Sequence, residues 1–145
     1  MRRVQGVDVT RVEAAVRAAE ATTTGEIRVA LARIYFWGDM QRAAERAFRR
    51  LRMDRTRQRN GVLVFVAPLR RGLAIIGDAG IAACVGPPFW RATVDLAIKS
   101  FAASDGDLTA GILDTVAEIG RALAAHFPGA GDNRIPDSVA EDSRR

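Results

Sequence analysis

The chain reads as an α/β fold, a mixed sheet of three or four strands with about four helices, and three observations lead there. Val62 to Ala67 is an unbroken apolar run of strand length, the pattern of a strand covered on both faces. Glu26 to Ala32 alternates with period two, setting Ile27, Val29 and Leu31 against Arg28, Ala30 and Ala32. A helical pattern separates these two runs, which makes them a parallel pair. The apolar run Leu73 to Gly77 follows the second strand after a short turn and should return antiparallel to it.

Taken in order, Asp8 is placed to cap a first helix in which Val9, Val12, Val16 and Ala19 recur on one face. Thr22-Thr23-Thr24-Gly25 ends that helix, and the alternating strand follows, reaching toward Tyr35. A second helix starts near Asp39; it buries Met40, Ala43, Ala44, Ala47, Phe48 and Leu51 and turns Arg42, Arg46, Arg49 and Arg50 outward. Arg52 to Arg59 carries no apolar periodicity, and Asn60-Gly61 punctuates the start of the second strand. Pro68 to Gly72 is the hairpin turn. Pro87 and Pro88 suit the first turn of a third helix, where a proline loses no intrahelical bond, with Trp90, Val94, Ala97 and Phe101 on its inner face. Asp107 caps a fourth helix that carries the stripe Leu108, Ile112, Val116, Ile119 and Leu123 toward Phe127. Residues 1–128 form one domain on this reading, and residues 129–145, rich in Gly, Asp, Asn, Ser and Arg, an irregular polar tail pinned by Ile135 and Val139.

Composition narrows the function. With 145 residues, 48% of them hydrophobic, the chain can bury a full domain core. Its longest apolar run is far short of the roughly 20 residues that cross a bilayer, and Met1-Arg2-Arg3-Val4-Gln5-Gly6 lacks the apolar stretch of a secretory leader, so a cytoplasmic location is expected. One Cys and one His exclude an internal disulfide and a Cys/His zinc site. There is no Walker loop, no His-Glu-x-x-His, no Gly-x-Ser-x-Gly and no Cys-x-x-Cys. Gly77-Asp78-Ala79-Gly80 lacks the third glycine of a dinucleotide loop and follows a hairpin strand. The net charge of +5 is unevenly spread: residues 42–71 hold ten Arg against Glu45 and Asp54, whereas residues 104–145 hold eight carboxylates against four Arg. Such asymmetry steers anionic partners to one side of the molecule.

Strand direction also places a candidate site. Asp78 should leave the sheet at the edge where Thr24-Gly25-Glu26 enters the first strand and Asn60 precedes the second. Glu26, Asn60 and Asp78 would then offer oxygen ligands to a hard cation such as Ca2+ or Mg2+. Thr56, Arg55 and Arg59 on the same rim would hold a phosphate or another anion. In the structural alternative, Asp78 caps a turn, Asn60 shapes the start of the strand and Arg59 pairs with Glu26. The opposite edge would carry Trp37, Gly38, Asp39 and the Arg70-Arg71 turn as a small basic-aromatic pocket. His126 reads as a helix-terminating residue or a proton shuttle, and Cys84 as a small buried hydrophobe.

Thr24-Gly25-Glu26-Ile27, Arg55-Thr56-x-x-Arg59-Asn60-Gly61-Val62-Leu63, Gly77-Asp78-Ala79-Gly80-Ile81, Gly86-x-x-Phe89-Trp90, Gly111-Ile112 and His126-Phe127-Pro128 are spaced clusters. With Gly131-Asp132-Asn133 and Pro136-Asp137 they resemble the TPM domain over residues 8–140. That family is named for a thylakoid lumen protein, a photosystem II repair protein and a nematode receptor modulator. The resemblance, to its short soluble bacterial form, implies a three-layer α/β/α sandwich. It further implies either a binding or assembly module for a protein or a membrane-associated complex, with weak divalent-cation binding, or a metal-assisted acid phosphatase acting on phosphomonoesters. The arginine-rich stretch leaves nucleic-acid binding as a third reading, without the interleaved aromatics that usually accompany it.

Overall fold

The structure, a computed structural model, describes residues 2–32, 38–103, 107–130 and 139–142. A small hairpin opens it: β1 (Arg3–Val4) pairs antiparallel with β2 (Val7–Asp8) through a turn with Gln5 and Gly6 at positive φ. Asp8 then caps α1 (Val9–Glu20), its carboxylate accepting the Arg11 N–H at 3.2 Å. Next comes β3 (Glu26–Ala32). Asp39 starts α2 (Met40–Arg50) by accepting from Gln41 N at 2.8 Å and Arg42 N at 3.4 Å. A 3-10 turn, Met53–Arg55, leads to β4 (Gly61–Ala67), and a second, Pro68–Arg70, with Arg71 at positive φ, makes the hairpin to β5 (Gly72–Gly77). The remaining helices are α3 (Ala79–Ala82), α4 (Pro87–Ala103) and α5 (Thr109–His126).

The sheet order is β5-β4-β3-β6, where β6 is Val139–Asp142. β3 runs parallel to β4 and to β6, and β4 runs antiparallel to β5, so the sheet is mixed. Both faces are covered. Ile27, Val29 and Leu31 of β3 join Val62, Val64 and Val66 of β4 in one core with α1, α4 and α5, among them Val12, Phe101, Ile112 and Leu123. Ala30, Leu63 and Phe65 join Ala44, Ala47 and Phe48 of α2, together with Met53, in the other. The period-two alternation of β3 and the apolar run of β4 thus produce three layers, helices on each face of one sheet.

Five α-helices stand among the described residues where the sequence pattern gave about four, the extra one being the single turn α3. It is too short to show a periodic stripe and is held by its surroundings, described below. Within the stretch read as an irregular tail, β6 adds a strand beside β3. The continuation of the first strand toward Tyr35 lies outside the described residues, as do Trp37 and Ile135. Among the described residues no helix is long and apolar enough to cross a membrane.

Candidate functional site

Because β3 and β4 are parallel and β5 returns, the start of β3, the start of β4 and the end of β5 share one edge of the sheet. Glu26 stands in register with Gly61, Glu26 N–H reaches Asn60 O at 3.4 Å, and Asp78 N–H donates to Gly61 O at 2.9 Å. The rim inferred from strand direction therefore exists at the level of the backbone.

Its side chains are tied to one another. Arg59 sits at positive φ and sends a two-pronged guanidinium to Asp78, Nε to Oδ2 at 2.6 Å and Nη2 to Oδ1 at 2.9 Å. Asp78 Oδ1 also accepts the Ala79 N–H at 2.8 Å and so caps α3. The Arg59 carbonyl accepts from Gly80 N at 2.8 Å and Ile81 N at 3.3 Å, which satisfies two more of the helix's N-terminal donors. The hydrogen bond and charge of Asp78 raise the Arg59 guanidinium above its usual value. The turn is closed from the other side by Thr56, whose Oγ1 accepts Asn60 N–H at 3.1 Å, and by Asn60 Nδ2, which donates to Thr24 Oγ1 at 3.1 Å.

The glycines of this motif are there for space. A Cβ on Gly80 would lie 2.1 Å from Gln58 O and 2.6 Å from Arg59 O, both backbone atoms, and one on Gly77 would lie 2.6 Å from the Trp90 ring. Gly77-Asp78-Ala79-Gly80 is thus a docking surface for the 58–59 turn on one side and for α4 on the other. The motif is a latch between β4, β5 and α3.

Of the residues proposed from sequence, Thr56, Arg59, Asn60 and Asp78 come together. Glu26 shares the edge but belongs with Arg28 to the face of β3 that carries Ala30, toward α2, whereas the Asn60 amide reaches Thr24. Arg55 is exposed on the 3-10 turn. Asp78, Asn60 and Glu26 are all buried, at 6%, 1% and 1% exposure, and three N–H groups already engage the Asp78 oxygens. A hard cation needs several oxygens converging on one point, and this donor set does not supply them as arranged. Among the described residues there is likewise no group of three or more His, Cys, Asp or Glu side chains that could hold a metal ion.

One other expectation changes. Cys84 is exposed, because the chain turns there between α3 and Pro87; its thiol donates to Gly80 O at 3.4 Å. At the opposite edge Arg70 Nη1 does meet Gly38 O, at 2.9 Å. The feature sequence reasoning missed lies nearby: a groove of about 770 Å³ along the open edge of β5, walled by α2 residues such as Met40 and Glu45 and by α4 residues such as Trp90 and Asp95. Its only sequence signal is a wholly apolar strand, Gly72–Gly77, placed last in a hairpin.

Comparison with known proteins gives these motifs a family. A family model for the TPM domain matches residues 5–122. The chain belongs to the TPM domain family. This TPM domain is similar to the BA42 protein of the psychrophilic bacterium Bizionia argentinensis, known from an NMR structure, at 33% identity over 91% of this chain and 90% of that one, with a TM-score of 0.80. It is also similar in fold to the N-terminal domain of the cg2496 protein from Corynebacterium glutamicum, at 16% identity over 88% of this chain and 77% of that one, with a TM-score of 0.60. No curated protein matches it.

Proposed function

We propose that this TPM domain is a binding and assembly module that presents an arginine surface to an acidic region of a protein partner, such as a subunit of a membrane-associated complex. One observation carries the reading. Arg42, Arg46, Arg49 and Arg50 stand at helical spacing on the exposed face of α2, and Arg52, Arg55 and Arg57 continue the exposed series through the following turn. The opposite face of α2 buries Ala43, Ala44, Ala47 and Phe48. Like charges four residues apart on a helix cost about 0.2–0.5 kcal/mol per pair, so this stripe weakens α2 in isolation. An anionic partner would reverse that cost.

The competing phosphomonoesterase reading draws on the rim, with Ca2+ or Mg2+ at Asp78, Asn60 and Glu26 and phosphate at Arg55, Thr56 and Arg59. It has less support. The cation would have to displace the Arg59 fork from Asp78, and Thr56, the hydroxyl of the cluster, is buried and accepts from Asn60 N–H.

Fluorescence anisotropy with four probes tests the assignment: poly-L-glutamate, duplex DNA, single-stranded RNA and vesicles of anionic lipid. The module reading predicts salt-sensitive binding of poly-L-glutamate that is tighter than binding of either nucleic acid or of vesicles. Preference for a nucleic acid or for vesicles would replace the partner class. Hydrolysis of p-nitrophenyl phosphate with calcium, magnesium or manganese, above a mock purification and lost in Asp78→Ala, would replace the module reading with the enzyme.

A further inference from the structure

We infer that the open edge of β5 is an acceptor site for an extended, basic peptide strand, separate from the arginine surface of α2. β5 is the terminal strand of the sheet. The Asp78 N–H bond to Gly61 O identifies Gly61 and Asp78 as a hydrogen-bonding pair. Alternation along the register then assigns Ile76, Ala74 and Gly72 to the pairs that exchange hydrogen bonds with Leu63, Phe65 and Ala67. Leu73, Ile75 and Gly77 consequently direct their N–H and C=O groups away from β4, into the groove. Each offers one donor and one acceptor to an added strand.

Sheet edges are commonly defended against such pairing by Lys, Pro, a bulge or a covering element. Gly72–Gly77 contains neither a charge nor a proline, and its register with β4 runs without a bulge. Instead α2 and α4 rise on either side and form the walls of the 770 Å³ groove, with Met40 and the half-buried Trp90 as apolar contacts. Such walls shape a slot that admits a single strand lying along β5.

Charge selects the occupant. Among the described residues lining the groove are Asp39 and Glu45 on the α2 side and Asp95 on the α4 side, against Arg91 as the one basic residue. Neither Glu45 nor Asp95 forms a salt bridge among the described residues. In a chain of net charge +5 this is a locally acidic slot. A second copy pairing β5 to β5 would bring its own Glu45 and Asp95 against these carboxylates, which disfavours the homodimer. A strand with Lys or Arg at its flanks places cations beside both walls and packs their aliphatic stems on Met40 and Trp90.

The test uses the full 15N-labelled chain and a blocked octapeptide of four valines with two lysines at each end, so that neighbouring lysines point to opposite walls. Saturable amide shifts centred on Leu73, Ile75 and Gly77, with slowed hydrogen exchange there, are the expected result. Glu45→Lys combined with Asp95→Lys should weaken binding by about tenfold or more, from two reversed charges at the rim of a site. On the wild-type chain, a peptide N-methylated along its hydrogen-bonding edge should lose binding, which keeps the test decisive even where the double variant folds poorly. No shift at millimolar peptide would overturn the proposal, as would equal binding of a glutamate-valine octapeptide or of the N-methylated one. Protection of the same amides that rises with protein concentration in the absence of peptide would assign the edge to a second copy instead.

Discussion

Gly80→Ala separates the latch from an ordinary helix start, because two effects of opposite sign meet at this residue. Alanine is the better helix former by about 1 kcal/mol, and on propensity alone the substitution in α3 would stabilise the protein. Space opposes it. The new Cβ would stand 2.1 Å from Gln58 O and 2.6 Å from Arg59 O, and neither atom belongs to a side chain that can rotate aside. Overpacking in a filled site costs about 1–3 kcal/mol, and contact with backbone points to the upper end. Displacing the 58–59 turn also lengthens the bonds from Gly80 N and Ile81 N to Arg59 O, each worth about 1 kcal/mol. The net expectation is a loss of about 3 kcal/mol, or roughly 10 °C in melting temperature for a domain of this size. Urea unfolding followed by circular dichroism reads it directly. Gly86→Ala is the control, since a Cβ there meets only Pro88 Cδ at 3.4 Å, and it should stay within about 0.5 kcal/mol of wild type. A Gly80→Ala protein as stable as the parent would refute the docking of the 58–59 turn on α3.

Three further outcomes follow from named contacts. Arg46 lies four residues from both Arg42 and Arg50, so Arg46→Gln, which removes two like-charge pairs, should stabilise α2 by about 0.4–1 kcal/mol while weakening poly-L-glutamate binding; a variant that loses stability would contradict the unfavourable stripe. Asp107 accepts Thr109 N–H at 2.9 Å, and its bonds to Thr109, aided by the charge of Arg3, lower its carboxyl below the ordinary 3.8. A lowered folded value means that this contribution to stability is present above 3.8 and is lost as pH falls through the folded value. A carboxyl titration by carbon NMR should therefore place the Asp107 midpoint below 3.8, and a midpoint at or above it would contradict the bond from Thr109 N–H. Leu108 rather than Asp107 occupies the N-cap of α5, so Asp107→Ala should cost up to about 1 kcal/mol at neutral pH from loss of the bond to Thr109 N–H alone, measured by the same urea titration.

Elements that bury a regular stripe were legible in the sequence. The alternation of Glu26 to Ala32, the apolar run of β4 and the stripe from Leu108 to Leu123 each state their own geometry, and Asp8 and Asp39 mark helix starts by the chemistry of the cap. Strand direction then placed Asp78, Asn60 and Glu26 at one edge without coordinates. Pairing within that edge was not legible. Periodicity fixes the face of a strand residue, and this separates Glu26 from the Asn60 amide. It says nothing of a turn at positive φ such as Arg59, which carries both a carbonyl and a guanidinium onto the start of α3. The β1–β2 hairpin, α3 and β6 are too short for periodicity to register, and their positions depend on partners distant in sequence. Cys84 was misplaced for a related reason: Ala83 and Val85 gave it apolar neighbours in sequence, while the turn before Pro87 gives it solvent.

The affinity of the intact chain for poly-L-glutamate across a series of NaCl concentrations, in wild type and in a variant carrying Arg42→Glu, Arg46→Glu and Arg49→Glu, bears most directly on the assignment of this TPM domain as a module for acidic partners. The arginine surface predicts binding that weakens steeply with salt in wild type and is abolished in the variant, with unfolding transitions of comparable midpoint. Equal affinity in the two proteins, or no binding even at low salt, would contradict it.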